Sequence, residues 1–164
     1  MLSNSRSAYH LHNHQKCVNA ALQQARERCA RTHARLTPIR EAVLALIWDN
    51  HKPMGAYHIV EQLPLIIGKN IQAPSVYRAI DFLLELGLIH RITSLNAYIG
   101  CPFPGREHSN LFMICRDCGV AAEVSDEGIN GIITETIQKT GFRVETQAIE
   151  LSGLCPACRE EDNG

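Results

Sequence analysis

Four of the chain's seven cysteines stand as two Cys-x-x-Cys pairs, Cys115/Cys118 and Cys155/Cys158. Each pair turns on a tight knuckle, Arg116-Asp117 before Gly119 in the first and Pro156-Ala157 in the second, which brings two thiolates to one side. Four thiolates complete a tetrahedral zinc shell with Zn–S bonds of about 2.3 Å. The gap between the pairs is longer than in a simple zinc ribbon, but it holds a strand–helix–strand pattern that can return the chain to its start. Two alternatives stay open: a redox motif, or two reduced pairs without metal. A redox Cys-x-x-Cys comes singly at a helix N-terminus after a strand, whereas this one is doubled. The remaining cysteines are scattered. Cys17 and Cys29 lie on one face of a helical run and read as packing residues, and Cys101 stands alone.

The opening MLSNSRSAYHLHNHQK has neither an apolar core nor a small-residue cleavage site, so the expectation is a cytoplasmic chain whose cysteines serve a metal rather than disulfides. Apolar runs such as Ala42–Trp48 are too short to cross a bilayer. The length of 164 residues fits one sizeable domain or two small ones. An apolar share of 45% with 20% charged residues excludes a disordered or collagen-like chain. The net charge of −1 hides an asymmetry, for residues 1–90 carry ten Lys and Arg against six Asp and Glu, and residues 91–164 carry six against eleven. A basic half joined to an acidic half points to one part that faces nucleic acid and another that does not.

The pattern along the chain gives these parts a shape. Residues 1–16, with the alternate histidines of His10-Leu-His-Asn-His14, read as a disordered, solvated tail, although such histidines can hold a metal loosely. Cys17–His33 has helical spacing. Thr37-Pro38 opens a second helix with Ile39, Val43, Leu46 and Ile47 inward, and Ala56–Leu65 forms a third with Ile59, Val60 and Leu63 inward. Ala73-Pro74-Ser75 opens a fourth, with Val76, Ile80, Leu83 and Leu84 on one face and Gly87 as its cap. The period then changes. Leu88–Ile92 and Ala97–Ile99 read as a hairpin, so residues 17–100 describe a winged helix-turn-helix, with a hinge at about 93–107. Residues 108–160 form a small α/β part: strands at Leu111–Ile114 and Val120–Val124, a helix with Ile129, Ile132, Ile133 and Ile137 as its inner stripe, and a strand over Phe142–Ile149. The fold class is α+β. A module of this size buries little surface alone and leans on zinc, on a dimer partner, or on both.

Two further sets of residues carry chemistry. The helix opened by Pro74 presents Ser75, Tyr77 and Arg78 on its first turns, where a recognition helix reaches base edges. His90, Cys101, His108 and Glu123 gather between the end of the wing and the second strand of the acidic part, and all are ligand types that zinc accepts. Each also has an ordinary structural reading, and spacing alone does not choose between them.

With these segments assembled, the chain resembles the ferric uptake regulator family, and within it the zinc-responsive branch. The resemblance runs over roughly residues 17–160 and rests on Leu36–Arg40, Pro74–Leu83, Asn96–Cys101, Cys115-Arg-Asp-Cys118-Gly119 and Gly153-Leu-Cys155-Pro-Ala-Cys158. It implies a homodimer with N-terminal winged helices on double-stranded DNA and C-terminal domains that pair the subunits. It also implies repression of zinc-uptake genes from a palindromic operator when metal is bound. Residue by residue, it implies structural zinc at Cys115, Cys118, Cys155 and Cys158, and regulatory zinc at His90, Cys101, His108 and Glu123, two Zn(2+) per protomer. Tyr57 and Arg78 match positions that contact bases. Many iron-type members carry a His-x-His segment before the first cysteine pair, whereas here a single His108 precedes Cys115. That, and the soft thiolate of Cys101, argue against the iron and peroxide branches, while iron, manganese, nickel or peroxide sensing stays the competing reading within the family. Two other classes compete: a zinc-ribbon interaction module that does not sense metal, and a zinc hydrolase with His90, Cys101 and His108 as ligands and Glu123 as base. A hydrolase needs an open zinc position, which four protein ligands close, and the chain has no His-Glu-x-x-His segment. Neither a small organic substrate nor a membrane is expected as a partner.

Overall fold

The computed structural model describes residues 8–9, 12–106, 108 and 110–162. They fall into two compact units. One is His12–Gly105, and the other joins Arg106 onward to the described residues before His12.

The first unit opens with helix α1 (His14–Thr32). Asn13 caps it by accepting the Gln15 N–H on its side chain, Val18, Ala21, Ala25 and Cys29 bury one face, and His33 ends it in the left-handed region with its N–H on the Cys29 carbonyl. The helix thus starts at His14 rather than Cys17. Asn13 supplies the missing acceptor one turn earlier, and residues 13–16, read from sequence as part of a disordered tail, are the cap and first residues of a helix. The rest of that expected tail, apart from residues 8, 9 and 12, lies outside the described residues.

Helix α2 (Pro38–Trp48) follows, with Pro38 where a missing N–H costs nothing. Thr37 holds the N-cap position, but its side chain makes no capping bond. Helix α3 (Ala56–Ile67) buries Ile59 and Leu63, accommodates Pro64, and stops at Gly68, whose φ of 69° suits glycine. Helix α4 (Ala73–Glu85) buries Val76, Ala79, Ile80 and Leu83. Leu86 is its C-cap, and Gly87 is the left-handed residue beyond it, donating to the Leu84 carbonyl. These faces meet in one core with Val43, Leu44, Leu46 and Ile47 of α2.

A small sheet completes this unit in the order β1–β3–β2. Strands β2 (Ile89–Ile92) and β3 (Ala97–Gly100) are antiparallel with Ile89 opposite Gly100 and His90 opposite Ile99. Strand β1 (Met54–Gly55) pairs with β3 and was not legible in the sequence, because two residues carry no period. Gly100 lets β3 lie against α2: a Cβ there would sit 2.1 Å from Trp48 Cε2.

The second unit is a three-stranded sheet in the order β5–β4–β6. Strand β4 (Leu111–Cys115) runs antiparallel to β5 (Ala121–Val124) and parallel to β6 (Ile149–Gly153). A parallel neighbour requires a crossover, and helix α5 (Glu127–Thr140), capped by Asp126 on the Ile129 N–H, is its helical part. A short helix α6 (Pro156–Asp162) ends the described chain.

Two expectations are corrected here. The strand read over Phe142–Ile149 is found at Ile149–Gly153, since only there does the chain have a ladder partner, Ile149 opposite Leu111 through Gly153 opposite Cys115. The isoleucine stripe of α5 is not internal: no residue of the helix is buried, and Ile132 is 67% exposed.

Candidate metal centres and nucleic-acid interface

The four paired cysteines come together. Cys115 closes β4, and the knuckle after it brings the Gly119 N–H back to the Cys115 carbonyl. Gly119 has a φ of 75°, a conformation in which a side chain is strained. The Arg116 N–H donates to the Gly153 carbonyl at the end of β6, which delivers Cys155 to the same point, and the Cys155 N–H donates to Cys115 Sγ at 3.3 Å. Cys118 Sγ and Cys155 Sγ are 3.8 Å apart. All four sulfurs lie within 4.8 Å of one another. Sulfurs at the corners of a tetrahedron with bonds of about 2.3 Å are about 3.8 Å apart, so the donor set fits zinc in type and spacing. Burial pushes the Cys115 thiol up, but N–H groups of Cys155, Cys118 and Asp117 bring it down to about 6, the thiolate form that binds metal.

Tyr9 was missed from the sequence. It packs on this cysteine cluster and donates its hydroxyl to the Met113 carbonyl at 2.8 Å. Burial, then the neighbouring thiolates, push its phenol up to about 12. No periodic pattern surrounds Tyr9, so nothing in the sequence marked it.

Of the second set, each unit carries two members. In the first unit, the Cys101 N–H donates to the Leu88 carbonyl, which extends the β2–β3 ladder by one residue pair. His90 faces Ile99 in that ladder, so His90 and Cys101 are diagonal neighbours on one face of the sheet. Cys101 is buried and accepts the Phe103 N–H on its sulfur.

In the second unit, His108 Nε2 lies 2.9 Å from Glu123 Oε1, and the carboxylate side chain is only 1% exposed. Glu123 is the buried charged residue among the described ones, held on β5 opposite Phe112. His108 Nδ1 is 2.7 Å from the Arg106 carbonyl, which can only accept, so that nitrogen carries the proton. Nε2, the other ring nitrogen, faces a carboxylate oxygen. Two lone pairs at that distance need a cation or a second proton between them. A metal ligand whose far nitrogen is fixed by a carbonyl has this arrangement.

The residues read as DNA-facing are all in the first unit. Tyr57, near the start of α3, is 74% exposed, and Tyr77 on α4 is 48% exposed. Arg78 is also exposed, while Ser75 is half-buried at the helix opening. Both tyrosines therefore turn polar tips to solvent instead of filling the core. Beside them, the guanidinium of Arg40 stacks 3.4 Å over the Phe82 ring and ties α2 to α4.

The sequence profile of the ferric uptake regulator family matches residues 31–152. The chain belongs to that family. Over 140 residues it is 38% identical to the zinc uptake regulation protein of Escherichia coli K12, covering 85% of this chain and 81% of the relative. Among solved structures, it resembles a zinc uptake regulator complexed with zinc and DNA, with a TM-score of 0.81 and 35% identity over 90% of this chain and 98% of the other. It also resembles the holo form of XcZur, with a TM-score of 0.75 and 35% identity over 87% and 99% of the two chains. The winged helix-turn-helix with an appended α/β unit is therefore the family's fold in this chain. Among the described residues no helix is long and apolar enough to cross a membrane.

Proposed function

We infer that this member of the ferric uptake regulator family is a zinc-responsive transcriptional repressor. It acts as a homodimer on a palindromic operator and silences zinc-uptake genes when its regulatory site is filled. The observation that carries the reading is the buried Glu123 carboxylate facing Nε2 of His108, 2.9 Å away, while the ring's other nitrogen is held by a carbonyl. His90 and Cys101, diagonal on the wing sheet, supply the nitrogen and sulfur that complete a four-ligand set. A soft thiolate among two imidazoles and one carboxylate selects zinc over harder cations, and the likeness to zinc uptake regulators supports the same choice.

Each residue has a role in this mechanism. Cys115, Cys118, Cys155 and Cys158 hold the structural ion and belong to the folded state itself. His90, Cys101, His108 and Glu123 bind the regulatory ion, giving two Zn(2+) per protomer for these centres. When bound, that ion supplies a cross-link between the wing unit and the α/β unit. In a two-fold dimer the two recognition helices must meet major grooves about 34–36 Å apart. Ligands drawn from both units remove the freedom that would otherwise be lost on docking, so zinc and DNA each raise affinity for the other. A coupling of ~1–3 kcal/mol gives a switch of about 5–150-fold. Tyr57, Ser75, Tyr77 and Arg78 then contact the operator. Ile132, Phe142, Val144 and Leu151 of the α/β unit are exposed, apolar surface that a second copy would cover.

The test is to replace one ligand in each half of the regulatory site. Cys101→Ser and Glu123→Ala proteins should remain folded dimers by sedimentation but lose the zinc-dependent gain in operator affinity, by roughly the 5–150-fold of that coupling. An unaltered zinc response in gel shifts would remove these residues from the sensor.

A further inference from the structure

Outside both centres, three histidines of the first unit converge. His12 precedes α1, His14 is its first residue, and His51 lies in the turn after α2. Their ring centroids are 4.6 Å apart for His12 and His14, 4.9 Å for His12 and His51, and 5.1 Å for His14 and His51. His12 Nε2 and His51 Nε2 are separated by 2.9 Å, and one nitrogen of each ring lies within 4.8 Å of the others. His14 Nδ1 is buried with no hydrogen-bond partner.

A hydrogen bond between His12 and His51 accounts for one close pair of nitrogens and leaves the His14 nitrogen unanswered. Three imidazole nitrogens around one ion at about 2.0–2.1 Å would be about 3.3 Å apart in a tetrahedral shell. The observed separations, 2.9 Å for one pair and all within 4.8 Å, bracket that spacing. Cys17 Sγ lies 3.2 Å from His12 Nε2, outside the group of three nitrogens.

We propose that His12, His14 and His51 form a third divalent-metal site, suited to zinc or a similarly borderline cation. This site is distinct from the four-thiolate centre and from the regulatory set, and it does not depend on either. Its ligands bracket the start of α1 and the end of α2, so an ion there pins the N-terminal segment onto the helix-turn-helix unit. His51 also packs edge-on against Trp48, with ring centroids 6.1 Å apart, and Trp48 is the side chain that Gly100 of the wing accommodates. Neutral imidazoles beside the positive end of a helix bind a cation more weakly than four thiolates do. The site therefore fills after the four-thiolate centre as zinc rises.

The experiment uses untagged full-length protein, with zinc ions per protomer counted by native mass spectrometry during a titration with zinc alone, and thermal melts recorded alongside. Wild type should take up one more ion per protomer than either His14→Ala or His51→Ala, and its melting temperature should rise with that ion. Both variants should lose the ion and the rise while keeping the wild-type circular dichroism. The exposed His58→Ala control should retain both. An equal ion count in wild type and both variants would overturn the site, as would retention of the zinc-dependent rise in both. Since neither readout involves DNA, this outcome stands apart from success or failure of the regulatory reading.

Discussion

Arg78 lies at the exposed start of α4 with its guanidinium open to solvent, while its neighbours Val76 and Ala79 are buried. One residue of that helix can therefore be removed from the DNA surface without touching the core. Arg78→Ala should cost about 1–3 kcal/mol of operator affinity, concentrated at one base pair. Competition between operator variants checks this, and an equal loss on scrambled DNA would make Arg78 a phosphate contact. At this scale, legibility followed chemistry. The cysteine pairs were readable because a doubled Cys-x-x-Cys has few other uses. His108 and Glu123 were nameable as candidates only, since fourteen intervening positions say nothing of whether two side chains meet. Tyr9 and His51 were invisible as site residues, for each acquires its meaning from distant neighbours, Met113 for the one and His12 for the other.

Among the elements, helices were readable wherever apolar residues recur at helical spacing and a proline or glycine marks the end, as in α2 and α4. The starts of helices were less so. Helix α1 begins at His14 because Asn13 caps it, and Asn13 sits in a polar run that looks like a tail. Asn13→Ala should therefore lower stability by ~1 kcal/mol. Denaturant unfolding would measure this, and no change would mean that the first turn contributes nothing to the folded unit. The last strand misled for a different reason. Phe142–Ile149 alternates well, but alternation does not supply a hydrogen-bonding neighbour, and β4 offers one only from Ile149 onward. The α5 stripe shows the same limit from the other side: its period is helical, yet none of its residues is buried among the described residues.

For the whole molecule, the charge asymmetry follows the two units, a basic winged helix and an acidic α/β part. That division was legible because each function imposes its own composition. Three of the buried residues of the α/β unit are cysteines of the four-thiolate set. Cys115→Ser should consequently unfold or monomerise the protein, with sedimentation and zinc content as the readouts, and a stable dimer holding full zinc would contradict the structural assignment. The regulatory set is tested by the operator affinity of the full-length protein titrated against buffered free zinc, with an iron(II) series in parallel. Affinity should climb as free zinc rises, after the structural ion is already bound, with iron(II) unable to substitute. Affinity indifferent to zinc, or raised by iron(II) alone, would leave the fold intact and contradict the function.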